Sequence, residues 1–63
     1  MNMNLLEHYV TNITHENKTN YNGIVMYELT CDIVCCGIKS KNENILIMEE
    51  DYNMVKEYGY YLA

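Results

Sequence analysis

From Met26 to Cys36 the chain alternates. Tyr27, Leu29, Cys31, Ile33 and Cys35 fall between Met26, Glu28, Thr30, Asp32 and Val34. A period of two is what a strand with one buried face requires, so this stretch predicts the central strand of a sheet. Its last part, Ile33-Val34-Cys35-Cys36, is apolar at successive positions and predicts cover on both faces there. Gly37 breaks the run.

The segment before it has two readings. Leu5, Leu6, Tyr9, Val10 and Ile13 share a helical face, and Asn4 with Glu7 resembles a capping box, which favours a short helix. The β-preferring run Tyr9-Val10-Thr11 and Ile13-Thr14 favours a strand from about Glu7 to Thr14. The balance tips to the strand, because a helix of two turns has little stability of its own.

His15 to Gly23 is polar and reads as a loop closing on Asn22-Gly23, a pair that tolerates positive φ and suits a hairpin. Lys39 to Asn44 is polar as well, and Ile45 to Met48 reads as a buried strand, so a second hairpin turns at Gly37 or within residues 39–44. Glu50 or Asp51 is placed to cap a short helix, with Tyr52 and Val55 facing the sheet, Tyr58 as a further candidate, and Gly59 ending it. Tyr60-Tyr61-Leu62 makes a last, edge-like strand. The expected fold is α+β: a small antiparallel β-meander with one short helix near the C-terminus, in the order β-β-β-α-β, as a single domain over residues 1–63.

Several of these segments together resemble small uncharacterised proteins encoded by phages and prophages of Gram-positive bacteria. They are His8-Tyr9-Val10, the Tyr27–Cys31 strand that runs on to Cys35-Cys36-Gly37, the Lys39-Ser40 segment before a strand ending at Met48, and the ending from Val55 to Ala63. The resemblance implies a β-meander followed by a helix and a last strand, and it supports the strand reading of the N-terminal segment. The long Asn-rich loop departs from that pattern. The resemblance carries no activity over.

Composition narrows the function. A chain of 63 residues has room for one small core, and a deep substrate pocket would consume core that folding needs. That argues against an enzyme and makes a homodimer or a tight partner an ordinary expectation. Four Lys and Arg against nine Asp and Glu give a net charge of −5. Such a surface does not grip phosphate backbones, so direct nucleic-acid binding is not expected; a dense acidic face instead suits a basic groove that would otherwise hold DNA or RNA.

The start of the chain has no basic region before an apolar stretch, and no window approaches the length of a membrane span. With three cysteines, an odd count, a reducing cytosol is the expected compartment, and the resemblance implies that of an infected or lysogenic bacterial host. The triplets Asn12-Ile13-Thr14 and Asn17-Lys18-Thr19 would matter as glycosylation sites only in a secretory compartment.

Cys31, Cys35 and Cys36 with His8 and His15 are numerous enough for a zinc site. On a regular strand, however, Cys31 and Cys35 stand about 13 Å apart and Cys36 points to the other face, so packing is the expected role and no metal or cofactor is predicted. A Cys–His nucleophilic pair lacks an identifiable orienting group or oxyanion site. Glu49, Glu50, Asp51 and Glu57 concentrate in the second half of the chain, next to Tyr58, Tyr60 and Tyr61. Seven tyrosines without Phe or Trp are unusual for a core, and tyrosine is favoured at interfaces, so Glu49, Glu50, Asp51, Glu57, Tyr58, Tyr60 and Tyr61 form the expected partner-binding surface. Alternation requires Tyr60 or Tyr61 to fill the sheet face.

The expected function is therefore a non-enzymatic, phage-type protein that binds a host protein. An anti-CRISPR or other anti-defence inhibitor that blocks a host nucleic-acid-binding protein fits best. The alternatives are a structural or assembly protein acting as a homo-oligomer through an exposed edge strand, either Tyr60–Leu62 or the N-terminal segment, and a small zinc-binding regulator.

Overall fold

A computed structural model describes residues 5–63. Strand β1 spans Glu7–Tyr21, β2 Ile24–Cys35, β3 Ile38–Met48 and β4 Tyr60–Leu62; helix α1 spans Glu49–Tyr58 between the last two. The order is the expected β-β-β-α-β. All pairings are antiparallel, and the strands lie in the order β3-β2-β1-β4.

Asn22 and Gly23 form a two-residue turn with φ of 52° and 86°, joining β1 to β2. Cys36 and Gly37, at 54° and 77°, do the same between β2 and β3, so the second hairpin turns at Gly37 and not within residues 39–44. Positive φ at both central residues matches the twist of the flanking strands. The polar stretches 15–21 and 39–44 are thus strand and not loop. Most of their residues are exposed on both faces, which erases the alternation that would reveal a strand. The cross-strand bonds Asn17 Nδ2 to Glu28 Oε1 (3.2 Å) and Thr30 Oγ1 to Asn44 Oδ1 (2.8 Å) stand in for apolar pairing.

The N-terminal segment is strand, and the helical alternative falls; Asn4, the cap it would have used, lies outside the described residues. Over residues 7–10 this segment is not a sheet edge, because β4 and Gly59 bond to it there; beyond Val10 no strand among the described residues pairs with that side of β1. Bonds from Leu6 N–H to Ala63 O (2.8 Å) and from Ala63 N–H to Leu6 O (3.1 Å) extend the β1–β4 ladder beyond its ends.

Both long pairings slip once. The β1–β2 register shifts between Thr11 and His15, and the β2–β3 register shifts between Cys31 and Ile33. Within the extra residues Asn12 and Asn42 adopt φ of 52° and 55°. Asp32 sits between them, 8% exposed, and binds both: its Oδ2 accepts from Asn12 Nδ2 (2.8 Å) and its Oδ1 from the Asn42 N–H (3.1 Å). One carboxylate on the middle strand thereby fixes a bulge in each neighbour.

The core lies on one face of the sheet, where Val10, Leu29, Cys31, Ile33 and Ile47 meet Val55 of α1 and Tyr61 of β4. Among the described residues no element covers the opposite face, so the expected double cover at residues 33–36 is present on one side only. There Val34 is half-buried and Cys36 exposed. The helix is not capped by Glu50 or Asp51. Met48, in extended conformation, is the N-cap and makes no side-chain cap bond, while Glu49, Glu50 and Asp51 form the first turn, where negative charge favours the helix dipole. Gly59 ends it as expected, at φ 85° with its N–H bonded to Val55 O (2.8 Å).

Candidate functional site

The seven residues expected to bind a partner divide into three places. Glu49 and Glu50 are exposed and Asp51 half-buried at the start of α1, and Glu57 is exposed near its end. A helix of ten residues is about 15 Å long, which separates the acidic turn from the tyrosines at the far end. Tyr58, 63% exposed, does not face the sheet. Its ring stands 6.3 Å from that of Tyr60, which in turn lies 5.3 Å from Tyr9. Tyr61 departs from the group: it is 7% exposed in the core and stacks on His8 at 5.0 Å. The phase is set by β4 pairing with β1, where Tyr61 faces His8 and Tyr60 faces Tyr9.

Tyr9 is the member of this surface that sequence reasoning missed. The signal was present, because Tyr9 alternates with the core residue Val10 and so belongs to the outer face of its strand. Its hydroxyl donates to Glu7 Oε1 (2.8 Å), and that carboxylate raises the phenol above its ordinary pKa. Beside it, Leu5, Leu6, Val34, Cys36 and Leu62 complete a shallow depression of about 480 Å³.

On the covered face α1 is held to the first hairpin by Tyr52. Its ring stacks on Tyr27 at 3.7 Å and 5°, and its hydroxyl donates to Glu16 Oε2 (2.5 Å). The bond to Glu16, then burial and the Glu16 charge, push the Tyr52 phenol up to about 12. Lys56 reaches the same carboxylate, Nζ to Oε1 3.6 Å, and lies 5.6 Å above the Tyr52 ring. Lys56 is turned towards Glu16 with its side chain still 54% exposed, and Glu49, Glu50, Asp51 and Glu57 outnumber it on the helix four to one.

Two further titratable groups, Asp32 and Cys31, are buried in the sheet. The hydrogen bond from Asn12, then that from the Asn42 N–H, hold Asp32 below its ordinary value against the opposing effect of burial. Burial, then the charges of Asp32 and Glu43, push the Cys31 thiol up. His8 places Nδ1 3.0 Å from the carbonyl of Leu6. Cys35 and Cys36 bring their sulfurs to 3.9 Å, because Cys36 sits in the turn and not on the strand. Among the described residues no three side chains of His, Cys, Asp or Glu gather as a metal site. Among the described residues no helix is long and apolar enough to cross a membrane. No family model, curated protein or solved structure matches the chain.

Proposed function

We propose that this is a phage-type, non-enzymatic inhibitor that acts by covering the basic nucleic-acid-binding surface of a host defence protein, such as a component of a CRISPR–Cas system. The observation that carries the reading is the acidic excess on α1, Glu49, Glu50, Asp51 and Glu57 against Lys56, with the surface aromatics Tyr58, Tyr60 and Tyr9 near the far end of the helix. Glu49, Glu50, Asp51 and Glu57 complement lysines and arginines and steer the encounter. Tyr58, Tyr60 and Tyr9 supply rigid contact area whose hydroxyls keep bonding when water is excluded. Tyr61 supports this surface from inside the core. The site of action is the cytoplasm of the infected host.

The test is capture from a Gram-positive bacterial lysate with the tagged protein, at low and at high salt, followed by a nucleic-acid-binding assay on what is captured. The expected result is a basic protein, released by salt, whose binding to DNA or RNA is lost in the complex. Replacing Glu49, Glu50 and Asp51 by their amides should abolish capture while leaving the circular dichroism spectrum unchanged. Undiminished capture by the folded triple variant would sink the reading.

A further inference from the structure

The outer side of β1 is divided. Leu6 and Val10 turn their N–H groups to Ala63 and Gly59, where β4 lies, and beyond Val10 no strand among the described residues takes up that side. The Asn22-Gly23 turn shows which groups are left over. A two-residue turn of this kind closes on a hydrogen-bonded pair, here Tyr21 and Ile24, and bonded and unbonded pairs alternate along the ladder. Tyr21, Thr19, Asn17 and His15 therefore turn N–H and C=O to β2, while Asn20, Lys18 and Glu16 turn theirs away from the sheet. From His15 to Tyr21 the pairing with β2 is unbroken, so these outward groups form a regular row at an open edge. The other edge of the sheet offers no such row, because the left-handed Asn42 interrupts β3 between Lys41 and Glu43.

The side chains along the row identify what pairs with it. Two copies of one edge meet antiparallel about a two-fold axis, and each residue faces the one equally far beyond the axis. An axis at Glu16 sets Glu16 against itself, and an axis at Lys18 sets Lys18 against itself. An axis at Asn17 sets Glu16 against Lys18 on both sides, and these are residues whose backbone groups point outward. Both side chains are exposed, and among the described residues Lys18 has no ion-pair partner in its own chain. In this register the turn of the second copy lies opposite Thr11 and Asn12, so the pairing ends where Gly59 and β4 begin.

We propose that the chain dimerises by pairing β1 with β1 of a second copy, antiparallel, about a two-fold axis at Asn17. Glu16 and Lys18 of each copy exchange backbone hydrogen bonds with Lys18 and Glu16 of the other. Their side chains lie on the face that carries α1, where Glu16 already meets Tyr52, and they form an ion pair on each side of the axis. The two sheets become one. The proposal goes beyond the inhibitor reading and is tested on the purified chain, with no host protein.

Native mass spectrometry and amide exchange across a concentration series provide the test. The expected species has twice the 7.4 kDa chain mass, and the Glu16, Lys18 and Asn20 amides exchange more slowly as it forms. Lys18→Glu puts like charges across the axis at an exposed position, so the variant folds and should stay monomeric. Glu16→Lys does the same with the opposite sign, and mixing the two variants should restore a dimer holding one chain of each. A monomer at every concentration, a dimer whose three amides exchange as fast as in the monomer, a dimer undiminished in Lys18→Glu, or two folded variants that do not pair would each overturn the proposal.

Discussion

The two hairpins share strand β2 and repeat one construction. Each closes on two residues of positive φ, Asn22-Gly23 in the first and Cys36-Gly37 in the second, and each is bulged at an asparagine of positive φ, Asn12 and Asn42, held by Asp32. They differ at the first turn residue. In the first hairpin the turn is also bonded from within, since Asn20 Oδ1 accepts the Gly23 N–H at 2.7 Å. In the second, a thiol stands where asparagine would be easier. The shared parts specify the sheet, and the difference marks a residue that turn formation does not require.

The largest effect should come from the part they share. Asp32→Ala leaves both left-handed asparagines without their acceptor, in a site that admits little water. It should lower the thermal midpoint by about 10 °C and speed amide exchange beside both bulges together. Exchange that rises in one hairpin alone would break the symmetry argued here. Because the native pKa of Asp32 is lowered from 3.8, its contribution is complete above about pH 5 and is lost as pH falls through the depressed value. Asp32→Asn should flatten that acid limb of the stability curve.

Reciprocal exchange at the turns tests the difference between them. Asn22→Cys should cost about 1 kcal/mol in urea unfolding, and Cys36→Asn should stabilise by a similar amount. Equal and opposite shifts would show that Cys36 is held against its conformational preference. If Cys36→Asn destabilises the reduced chain, the cysteine is a packing residue and the comparison fails.

How much of this construction was legible follows from which residues were wet. The Tyr27–Cys35 alternation, the Asn22-Gly23 turn and the stop at Gly59 are local signals, and the structure has all three. His15–Tyr21 and Lys39–Asn44 read as loops because an arm exposed on both faces has no apolar period to display. The bulges were hidden because their cause, Asp32, lies 20 residues from Asn12 and 10 from Asn42. The division between buried Tyr61 and outward Tyr60 depends on β4 pairing with β1, a contact between the two ends of the chain. The two sulfurs meet because the strand ends one residue earlier than its apolar run.

A second difference between the hairpins is smaller and lies outside β2. Only the first is tied to α1 through the Glu16 carboxylate, which accepts from Tyr52 and faces Lys56. These groups are partly exposed, so Tyr52→Phe should shift the midpoint little at neutral pH, where exposed polar contacts contribute modestly. The pH profile is more telling. A phenol raised from 10.0 to about 12 in the folded state binds its proton more tightly there than in the unfolded chain. Its contribution is therefore complete below pH 10 and is lost as pH climbs through about 12. Urea midpoints measured across that window should fall for the parent protein and fall less steeply for Tyr52→Phe. Superimposable profiles would mean that the Tyr52–Glu16 bond does not persist in solution, leaving the ring stack on Tyr27 as the tie between the helix and the first hairpin.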